Sequence, residues 1–581
     1  MLIDPRSKTE NCPRSRLYWA GVLNGGRTVG RKRLSASEDE LQISLPALVD
    51  STIPQQFHAG RERVINRHQS STIQPSQPPR CSRVYTRHEY VGVCLAGVLF
   101  LVWLFWEFYD DRRSNVPKGS LGFLPYIGET SEFVKNPAEY TAKRIEKFGN
   151  LFKGAFMGVR AVVSTDPDFS YARDTQGDHS FHISLPWSLR VMLGETYNMS
   201  TEQSGLQKLV LGILSPEGLK PHVKHIDAII LESLIQWEGQ TVVEVSSACK
   251  KITRRIALFM ILGNDHSEKK IHDQISDLLP IFIEAASSTP IYLPGTAYYN
   301  GYQARLKIEK LIARLIRRRT KASVEKFIGP SHNVLDALLK YQTSEGEHLN
   351  LRQISDVVCI LFFGCQNPSA AAMTCTIKEL CDLPSVRRKA VAECDAVEAR
   401  RFFPGPLTLA EVRNMRFIQN MFKETLRKYS IVPLTVRKAK EDVEINGTLV
   451  PRGWFAVTMS CNMHMNPKLW MDPDEYNPSR FENPPKVKNY LPFGVGTHMC
   501  PGKTLAEVMV SIFFYHLLHK FKWKLDGKYE DMKIEYGTFL PTPVSKEEIR
   551  IIVSRRRPKR KHLSSPPAIW PGNMKTQSSK F

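Results

Sequence analysis

One cysteine near the carboxyl end of the chain has neighbours suited to metal chemistry. Cys500 lies in the stretch LPFGVGTHMCPGKTLAEVM, between a glycine-rich turn and the first turn of an apolar helix. Gly494 and Gly496 allow a tight turn with positive φ, and Gly502 lets the chain pass close to a bulky flat group. If a helix begins at Cys500, its amino-terminal dipole and free N–H groups favour the thiolate form of this residue. A thiolate in such a position can bind iron.

Other motifs decide whether this cysteine is structural or functional, because a lone buried cysteine is more often part of the core. Glu424 and Arg427 in the stretch ETLR stand at positions i and i+3, so on a helix they share one face and can form an ion pair. The stretch PLTVR at 433–437 is followed by DVEINGTLVPRGW at 442–454, whose Asn-Gly pair is the turn signal of two paired strands. The stretch YNPSRF follows at 476–481.

Taken in order along the chain, these stretches and the spacing F-x-x-x-x-x-x-C-x-G around Cys500 resemble the motifs of the cytochrome P-450 family. The resemblance covers residues 117–553 and implies a mainly α-helical fold with small β-sheets (α+β), behind a single amino-terminal transmembrane helix. It implies that heme b, iron protoporphyrin IX, is bound through the thiolate of Cys500. It also implies that Arg480 joins Glu424 and Arg427 in a buried network.

Four further stretches are similar to the plant-type clan of this family, which oxidises steroids, triterpenoids, diterpenoid acids and sesquiterpenoid hormones. They read PKGSLGFLPYIGET, SPEGLKPHV, LPGTAYYNGYQAR and FGVGTHMCPG. This resemblance implies a membrane-bound monooxygenase that hydroxylates a hydrophobic terpenoid or steroid with O2. The chain has no dinucleotide fingerprint in a strand-to-helix setting, so we expect the electrons to come from an external NADPH-dependent reductase. An acidic docking face on that reductase would suit a chain of net charge +22.

The family resemblance also implies which residues surround the cofactor. Phe493 packs beside the porphyrin, and His498 and Arg437 reach its propionates. The implied cofactor-binding residues are Phe493, Gly494, His498, Gly502 and Arg437, with Lys208 as a substitute for an arginine that the family has and this sequence lacks. The family places an aromatic residue or histidine and an arginine four residues apart facing the propionates, where this sequence has Gln203 and Gln207. Either Lys208 turns towards a propionate in their place, or heme binding is weaker than in the family.

The predicted distal helix, residues 355–380, departs from the family pattern at its centre. Aligned with the family's A-x-x-D-T-T, the acid is Asn367 and the first threonine is Pro368, and only Ser369 retains a hydroxyl. Asn367 can orient a water but cannot titrate. Pro368 lacks the N–H that would bond the carbonyl of Gly364, so a kink is expected there. Asn367 and Ser369, with waters, are the candidate proton relay, and losing a proton donor commonly costs roughly 10²–10⁴ in rate.

These departures leave alternatives open. A heme-thiolate isomerase or dehydratase, which rearranges an oxygenated substrate without O2 or reductase, has less need of the acid and the threonine. A catalytically degenerate heme-binding protein is a third reading. A membrane-tethered basic scaffold without heme is a fourth.

The amino-terminal part predicts a membrane anchor. The stretch YVGVCLAGVLFLVWLFWEF carries one charge, Glu107, and as a helix it is roughly 28 Å long, enough to cross a bilayer. The predicted organisation is a basic, disordered extension at 1–89, a transmembrane anchor at 90–109, a Pro/Gly linker at 110–120, a heme-thiolate catalytic domain at 121–553 and a basic, disordered tail at 554–581. We expect a single-pass protein of the endoplasmic reticulum membrane with a cytosolic catalytic domain, or alternatively of the plastid envelope.

The cysteines and the charge narrow the remaining possibilities. The 11 cysteines include no C-x-x-C pair, which argues against a disulfide framework or a zinc module and favours a reducing compartment. Much of the basic excess in the tail lies in the run RRRPKRK at 555–561. No nucleic-acid-binding module precedes this run, so no nucleic acid is expected as a partner.

Overall fold

Capping residues and apolar spacing in the sequence set the positions of the helices and strands. The computed structural model describes residues 92, 94–104, 115–120, 129–156, 159–176, 179–185, 187–194, 202–286, 288–321, 333–343, 345–401, 405–527, 534–536, 543–545 and 548–556. The predicted extension at 1–89 lies outside the described residues, as does the tail beyond residue 556. Their predicted disorder therefore stays a prediction.

Helices make up most of the described chain. Their bounds are α1 Cys94–Leu104, α2 Thr130–Lys135, α3 Pro137–Phe148, α4 Pro167–Thr175, α5 Trp187–Leu193, α6 Glu202–Leu214, α7 Pro216–Leu219, α8 Val223–Glu238, α9 Val245–Leu262, α10 Lys269–Ala286, α11 Ala297–Lys321, α12 Val334–Lys340, α13 Leu351–Asp382, α14 Pro384–Ala399, α15 Leu409–Asn414, α16 Arg416–Tyr429, α17 Ser460–His464 and α18 Lys503–Lys520. This confirms the mainly helical class.

The strands are short and form small sheets. Their bounds are β1 Leu151–Phe156, β2 Val159–Ser164, β3 Phe181–His182, β4 Val243–Glu244, β5 Leu434–Ala439, β6 Val443–Ile445, β7 Thr448–Val450, β8 Phe455–Met459, β9 Phe521–Leu525, β10 Ile534–Tyr536, β11 Pro543–Ser545 and β12 Arg550–Arg555. The predicted Asn-Gly turn joins β6 to β7, and both of its residues have positive φ, 49° for Asn446 and 78° for Gly447.

The largest sheet has the strand order β1-β2-β8-β5-β3. β8 runs parallel to β2 and antiparallel to β5, which pairs Arg437 of β5 with Ala456 of β8. The other sheets are β4-β12-β9, β10-β11 and β6-β7. The large sheet therefore fixes the strand that carries Arg437, one of the predicted cofactor-binding residues.

Helix α13 passes through the main hydrophobic core. It begins with a reciprocal capping box between Asn350 and Gln353, and it contains the whole of the predicted helix 355–380. In the described part of the chain it is the one helix long and apolar enough to cross a membrane, but half of its apolar window is buried. Residues along its length, including Val358, Phe362, Met373 and Ile377, pack in the core, so α13 is a core helix here.

The described part of the predicted anchor is α1, which is apolar and exposed. Leu95 and Leu99 are each 62% exposed and Leu101 is 64% exposed. The rest of residues 90–109, apart from residue 92, lies outside the described residues. The transmembrane helix therefore stays a prediction.

Two predicted domain boundaries differ from the structure by a few residues. The end of the predicted linker belongs to the folded body, because Gly119 forms a β-bridge with Lys153 and the Lys153 N–H donates to the Lys118 carbonyl at 3.1 Å. The predicted tail begins inside β12, which continues to Arg555. All nine cysteines in the described residues are free thiols.

Candidate active site

The loop before α18 folds back on itself around Cys500. The Cys500 N–H donates to the Phe493 carbonyl at 2.9 Å, and the Gly494 N–H donates to the Leu491 carbonyl at 3.2 Å. Gly496 has φ of 69°, and a Cβ there would lie 2.1 Å from the carbonyl oxygen of Asp174. Only glycine fits at this contact, so α4 and the loop hold each other in place.

The electrostatic setting of Cys500 differs from the prediction in one respect. Helix α18 begins at Lys503 with Gly502 as its N-cap, and not at Cys500. Burial raises the pKa of the Cys500 thiol, while hydrogen bonds from the Gly502 and Lys503 N–H groups act in the lowering direction. Burial is the larger effect, so these N–H groups alone do not favour the thiolate. A cation bound at this sulfur would stabilise its anionic form.

Helix α13 presents an open face in the middle of the core. Gly364 is exposed, and apart from its chain neighbours and its own helix backbone no atom lies within 4 Å of a Cβ built at this position. Leu361, Asn367, Pro368 and Ala371 lie on the same side and are half-buried, whereas the opposite side is packed. A flat group can therefore approach the backbone of α13 at Gly364.

Cys365, next to Gly364 on α13, lies near the Cys500 loop. Burial raises the pKa of the Cys365 thiol to about 12, and the nearby Cys500 contributes in the same direction. This electrostatic contact joins the centre of α13 with the Cys500 loop. The centre of α13 therefore lies near the Cys500 loop.

The two predicted relay residues lie in different settings on α13. Asn367 is half-buried on the open face, while Ser369 is 8% exposed on the packed side. The helix continues through Pro368 to Asp382, so the proline does not end it. The structure brings Asn367, more than Ser369, to the open space.

Arg437 is a buried cation with unused hydrogen-bonding capacity. Its Nη1 donates to the Val436 carbonyl at 2.9 Å, while its Nε has no hydrogen-bond partner and lies 3.5 Å from Asp174 Oδ1. Asp174 is shared with the fully buried Arg173, whose Nη2 lies 2.8 Å from Oδ1. One carboxylate thus serves two buried guanidinium groups, and a further anion would satisfy Arg437.

The remaining predicted residues lie around the same loop. Phe493 is half-buried, and its ring centroid lies 6.3 Å from that of Phe422. His498 is half-buried and contributes to the lowered pKa of His182, of which burial is the main cause. A Cβ at Gly502 would lie 3.7 Å from the Cys500 sulfur.

Lys208 is not brought to the Cys500 loop. It is exposed and lines a surface cavity of about 500 Å³ with Lys340 and Tyr341. The adjacent Gln207 contacts the loop instead, donating from Nε2 to the Thr497 carbonyl at 2.6 Å and towards the Met499 carbonyl at 3.5 Å. The sequence placed Gln207 at the family's arginine position but carried no signal for this contact with the loop backbone.

The predicted ion network is confirmed. Glu424 and Arg427 are fully buried, with Oε1 and Nη2 2.8 Å apart, and Arg480 Nε lies 3.3 Å from the same Oε1. Arg427 also donates to the His464 carbonyl at 3.0 Å and to the Glu475 carbonyl at 3.0 Å. The network therefore joins α16 to α17 and to the segment before residue 481.

His464 connects this network to the Cys500 loop and was missed by sequence reasoning. Its Nε2 accepts the Leu491 N–H at 3.3 Å, so Nδ1 carries the proton that is donated to Ser430 Oγ at 3.1 Å. Burial, together with Arg427, lowers the pKa of His464 to about 3, so the ring is neutral. Leu491 opens the Cys500 loop, and a lone histidine gives no sequence signal for such a role.

These groups fit a heme. Cys500 offers one sulfur ligand, Gly364 borders space for a flat ring, and Arg437 offers a buried cation for a carboxylate. A single thiolate on one side and an open helix face on the other define the class of heme-thiolate proteins.

The family follows from comparison with known proteins. Residues 117–548 match the family model described as Cytochrome P450. The chain belongs to the cytochrome P450 family, its relatives are of the plant type, and it is a P450 monooxygenase whose cofactor is heme with Cys500 as the axial thiolate.

Individual relatives agree with this assignment, and a solved structure has the same fold. Abscisic acid 8'-hydroxylase 4 of Arabidopsis thaliana is 30% identical over 74% of this chain and 91% of its own length. An abscisic acid 8'-hydroxylase of Solanum lycopersicum is 31% identical over 78% of this chain and 95% of its own. The retinoic acid-bound cyanobacterial CYP120A1 has a TM-score of 0.67 at 22% identity, covering 76% of this chain and 100% of that one, which shows the fold.

Proposed function

We propose that this P450 hydroxylates a hydrophobic terpenoid, with electrons from an NADPH-dependent reductase, while anchored to a membrane. The observation that carries the proposal is the open, mostly apolar face of α13 opposite the Cys500 loop. The relatives named abscisic acid 8'-hydroxylase support a terpenoid substrate. A steroid is the other class of substrate that the sequence favours.

Each residue of the candidate site has a separate role in the proposed reaction. When bound, the heme supplies iron that activates O2 for insertion of one oxygen atom into a C–H bond. Cys500 would hold the iron, Arg437 and His498 would hold the carboxylates of the ring, and Phe493 would pack against it, with Gly494 and Gly502 keeping the loop narrow. Leu361 and Ala371 contact the apolar substrate, and Asn367 orients a water on the open face. Ser369, on the packed side of α13, would relay protons to that water through further waters.

A second candidate is a heme-thiolate isomerase or dehydratase that acts on an oxygenated substrate. The placement of Asn367 and Pro368 on the open face favours it, because neither side chain can donate an acidic proton there. Such an enzyme would turn over without O2 and without a reductase.

The partners follow from the same proposal. An acidic face on the reductase would approach the basic surface of this chain, to which the exposed Lys208 and the half-buried Lys340 contribute. The exposed apolar α1 supports a membrane anchor, with the endoplasmic reticulum as the first choice and the plastid envelope as the second.

Two measurements test the proposal. Reduced protein with carbon monoxide should give the red-shifted Soret band of thiolate ligation, and substrate-induced difference spectra across terpenoids and steroids should identify ligands. A ligand found in this way should be hydroxylated only when O2, NADPH and a reductase are all present. Conversion without them would replace the first function by the second.

A further inference from the structure

We propose that the main-chain carbonyl of Gly364 and the side-chain amide of Asn367 form a polar receptor that binds a hydroxyl group of the substrate. The substrate is then a terpenoid that already carries a hydroxyl group. This inference rests on the proposed function, because it takes the open face of α13 as the wall of the substrate space.

The carbonyl of Gly364 has lost its helical partner. In an α-helix this oxygen accepts the N–H of the residue four positions later, which is Pro368, and proline has no N–H. The helix nevertheless continues to Asp382, so the acceptor stays in the middle of a regular element. A main-chain carbonyl without its helical donor takes another partner, so a ligand that donates to it is favoured where the ligand excludes water.

The position of this carbonyl makes it accessible. Gly364 is exposed on the open face, and no atom lies within 4 Å of a Cβ built there. A larger residue would screen the backbone, whereas glycine lets a hydroxyl group approach the oxygen. Asn367 lies three residues on, on the same side of the helix, and its amide can both donate and accept.

The neighbouring polar groups belong to the packed side. Gln366 is 3% exposed, and its carbonyl accepts a hydrogen bond from Thr253 of α9 at 3.1 Å. The open face otherwise carries Leu361 and Ala371, which are apolar. Gly364 and Asn367 thus provide one polar point on an apolar wall, which fixes the orientation of a ligand as well as its affinity.

The test restores the missing N–H with Pro368→Ala. Heme-loaded wild type and variant are titrated with menthol against p-menthane and with cedrol against cedrane, and dissociation constants are read from difference spectra. We expect the wild type to bind each alcohol at least about tenfold tighter than its hydrocarbon. In the variant, this ratio of dissociation constants should be at least about threefold smaller. Pro280→Ala, which removes a proline inside α10, is the matched control and should keep the wild-type preference.

A second readout does not depend on ligand binding. Hydrogen exchange of the heme-loaded Pro368→Ala protein should show a protected amide at position 368, because the new N–H bonds the Gly364 carbonyl. An unprotected amide, or equal preference for alcohols in wild type and variant, overturns the inference. If the carbon monoxide spectrum is normal and the preference is absent, only the inference fails. If folded protein gives no thiolate spectrum, the proposed function fails.

Discussion

At Cys500, burial and hydrogen bonding act on one sulfur atom in opposite directions. Two backbone N–H groups, from Gly502 and Lys503, lower the pKa of the thiol, and burial raises it by more. The loop therefore positions the Cys500 sulfur, and an iron bound there would supply the charge that further stabilises the thiolate. The same N–H groups would limit how much electron density the sulfur donates to a bound iron.

Replacing this sulfur should remove the heme-thiolate spectrum. Cys500→Ala leaves the loop hydrogen bond from the residue 500 N–H to Phe493 in place but provides no ligand, so the reduced protein with carbon monoxide should lack the red-shifted Soret band. Cys381→Ala is the control, since that half-buried thiol accepts a hydrogen bond from Trp523 at 3.4 Å away from the loop. A retained band in Cys500→Ala would refute the assignment of the ligand.

Restoring the family's acid and alcohol should improve oxygenation. Asn367→Asp combined with Pro368→Thr returns a titratable group and a hydroxyl to the open face, and a positioned proton donor contributes roughly 10²–10⁴ in rate. We expect at least about a tenfold gain in product formed per NADPH consumed, measured with a ligand identified by difference spectra. Unchanged coupling would show that proton delivery at these positions does not limit the reaction.

At the level of elements, the ion network of α16 holds the segments that carry the site. Glu424 and Arg427 are fully buried, and the Asn477 N–H donates to Glu424 Oε1 at 2.9 Å. Through His464 the network reaches Leu491 at the start of the Cys500 loop. Because a buried charge without its partner is costly, this network has to be complete for the loop to keep its position.

Breaking the network should destabilise the fold strongly. Glu424→Gln leaves Arg427 buried without its counter-charge, which costs about 3–5 kcal/mol in the free energy of unfolding, measured by urea denaturation. The control is Glu139→Gln, whose pair with Lys143 at 2.9 Å is exposed, so the unfolding midpoint should change little. Equal midpoints for the two variants would contradict the structural role of the network.

For the whole molecule, stability should fall in acid partly because of His464. Its pKa is about 3 in the folded protein and close to 6.5 in the unfolded chain, so between these values only the unfolded state takes up the proton. Stability from this group is complete above pH 6.5 and is lost as the pH falls, by up to about 1.4 kcal/mol per pH unit. In His464→Gln the free energy of unfolding should decline less steeply from pH 6.5 to 4.5. If the free energy of unfolding falls equally steeply with pH in the wild type and in the variant, His464 is not the cause of this loss of stability.

The membrane anchor and the catalytic body should be separable. Deleting residues 1–109 removes α1, whose apolar side chains are exposed, and leaves the residues that match the family. We expect the shortened protein to move from the membrane pellet to the soluble fraction while keeping its carbon monoxide spectrum. A shortened protein that still sediments with membranes would place the membrane contact in the body.

Local motifs in the sequence determined the iron ligand, the ion pair and the hairpin. Cys500 is set by its adjacent glycines, Glu424 and Arg427 by their spacing on one helix, and the β6–β7 turn by Asn446-Gly447. Each of these depends on residues close together in the chain, so local physical chemistry is enough to predict them.

Only the tertiary structure decided which distant residues support the site. Gln207, and not Lys208, contacts the Cys500 loop, through a bond that spans 290 residues of sequence. The sharing of Asp174 between Arg173 and Arg437 depends on how α4 packs against β5. The start of α18 at Lys503 depends on how the loop before it folds. Such contacts are set by packing and burial across the fold, which no local pattern encodes.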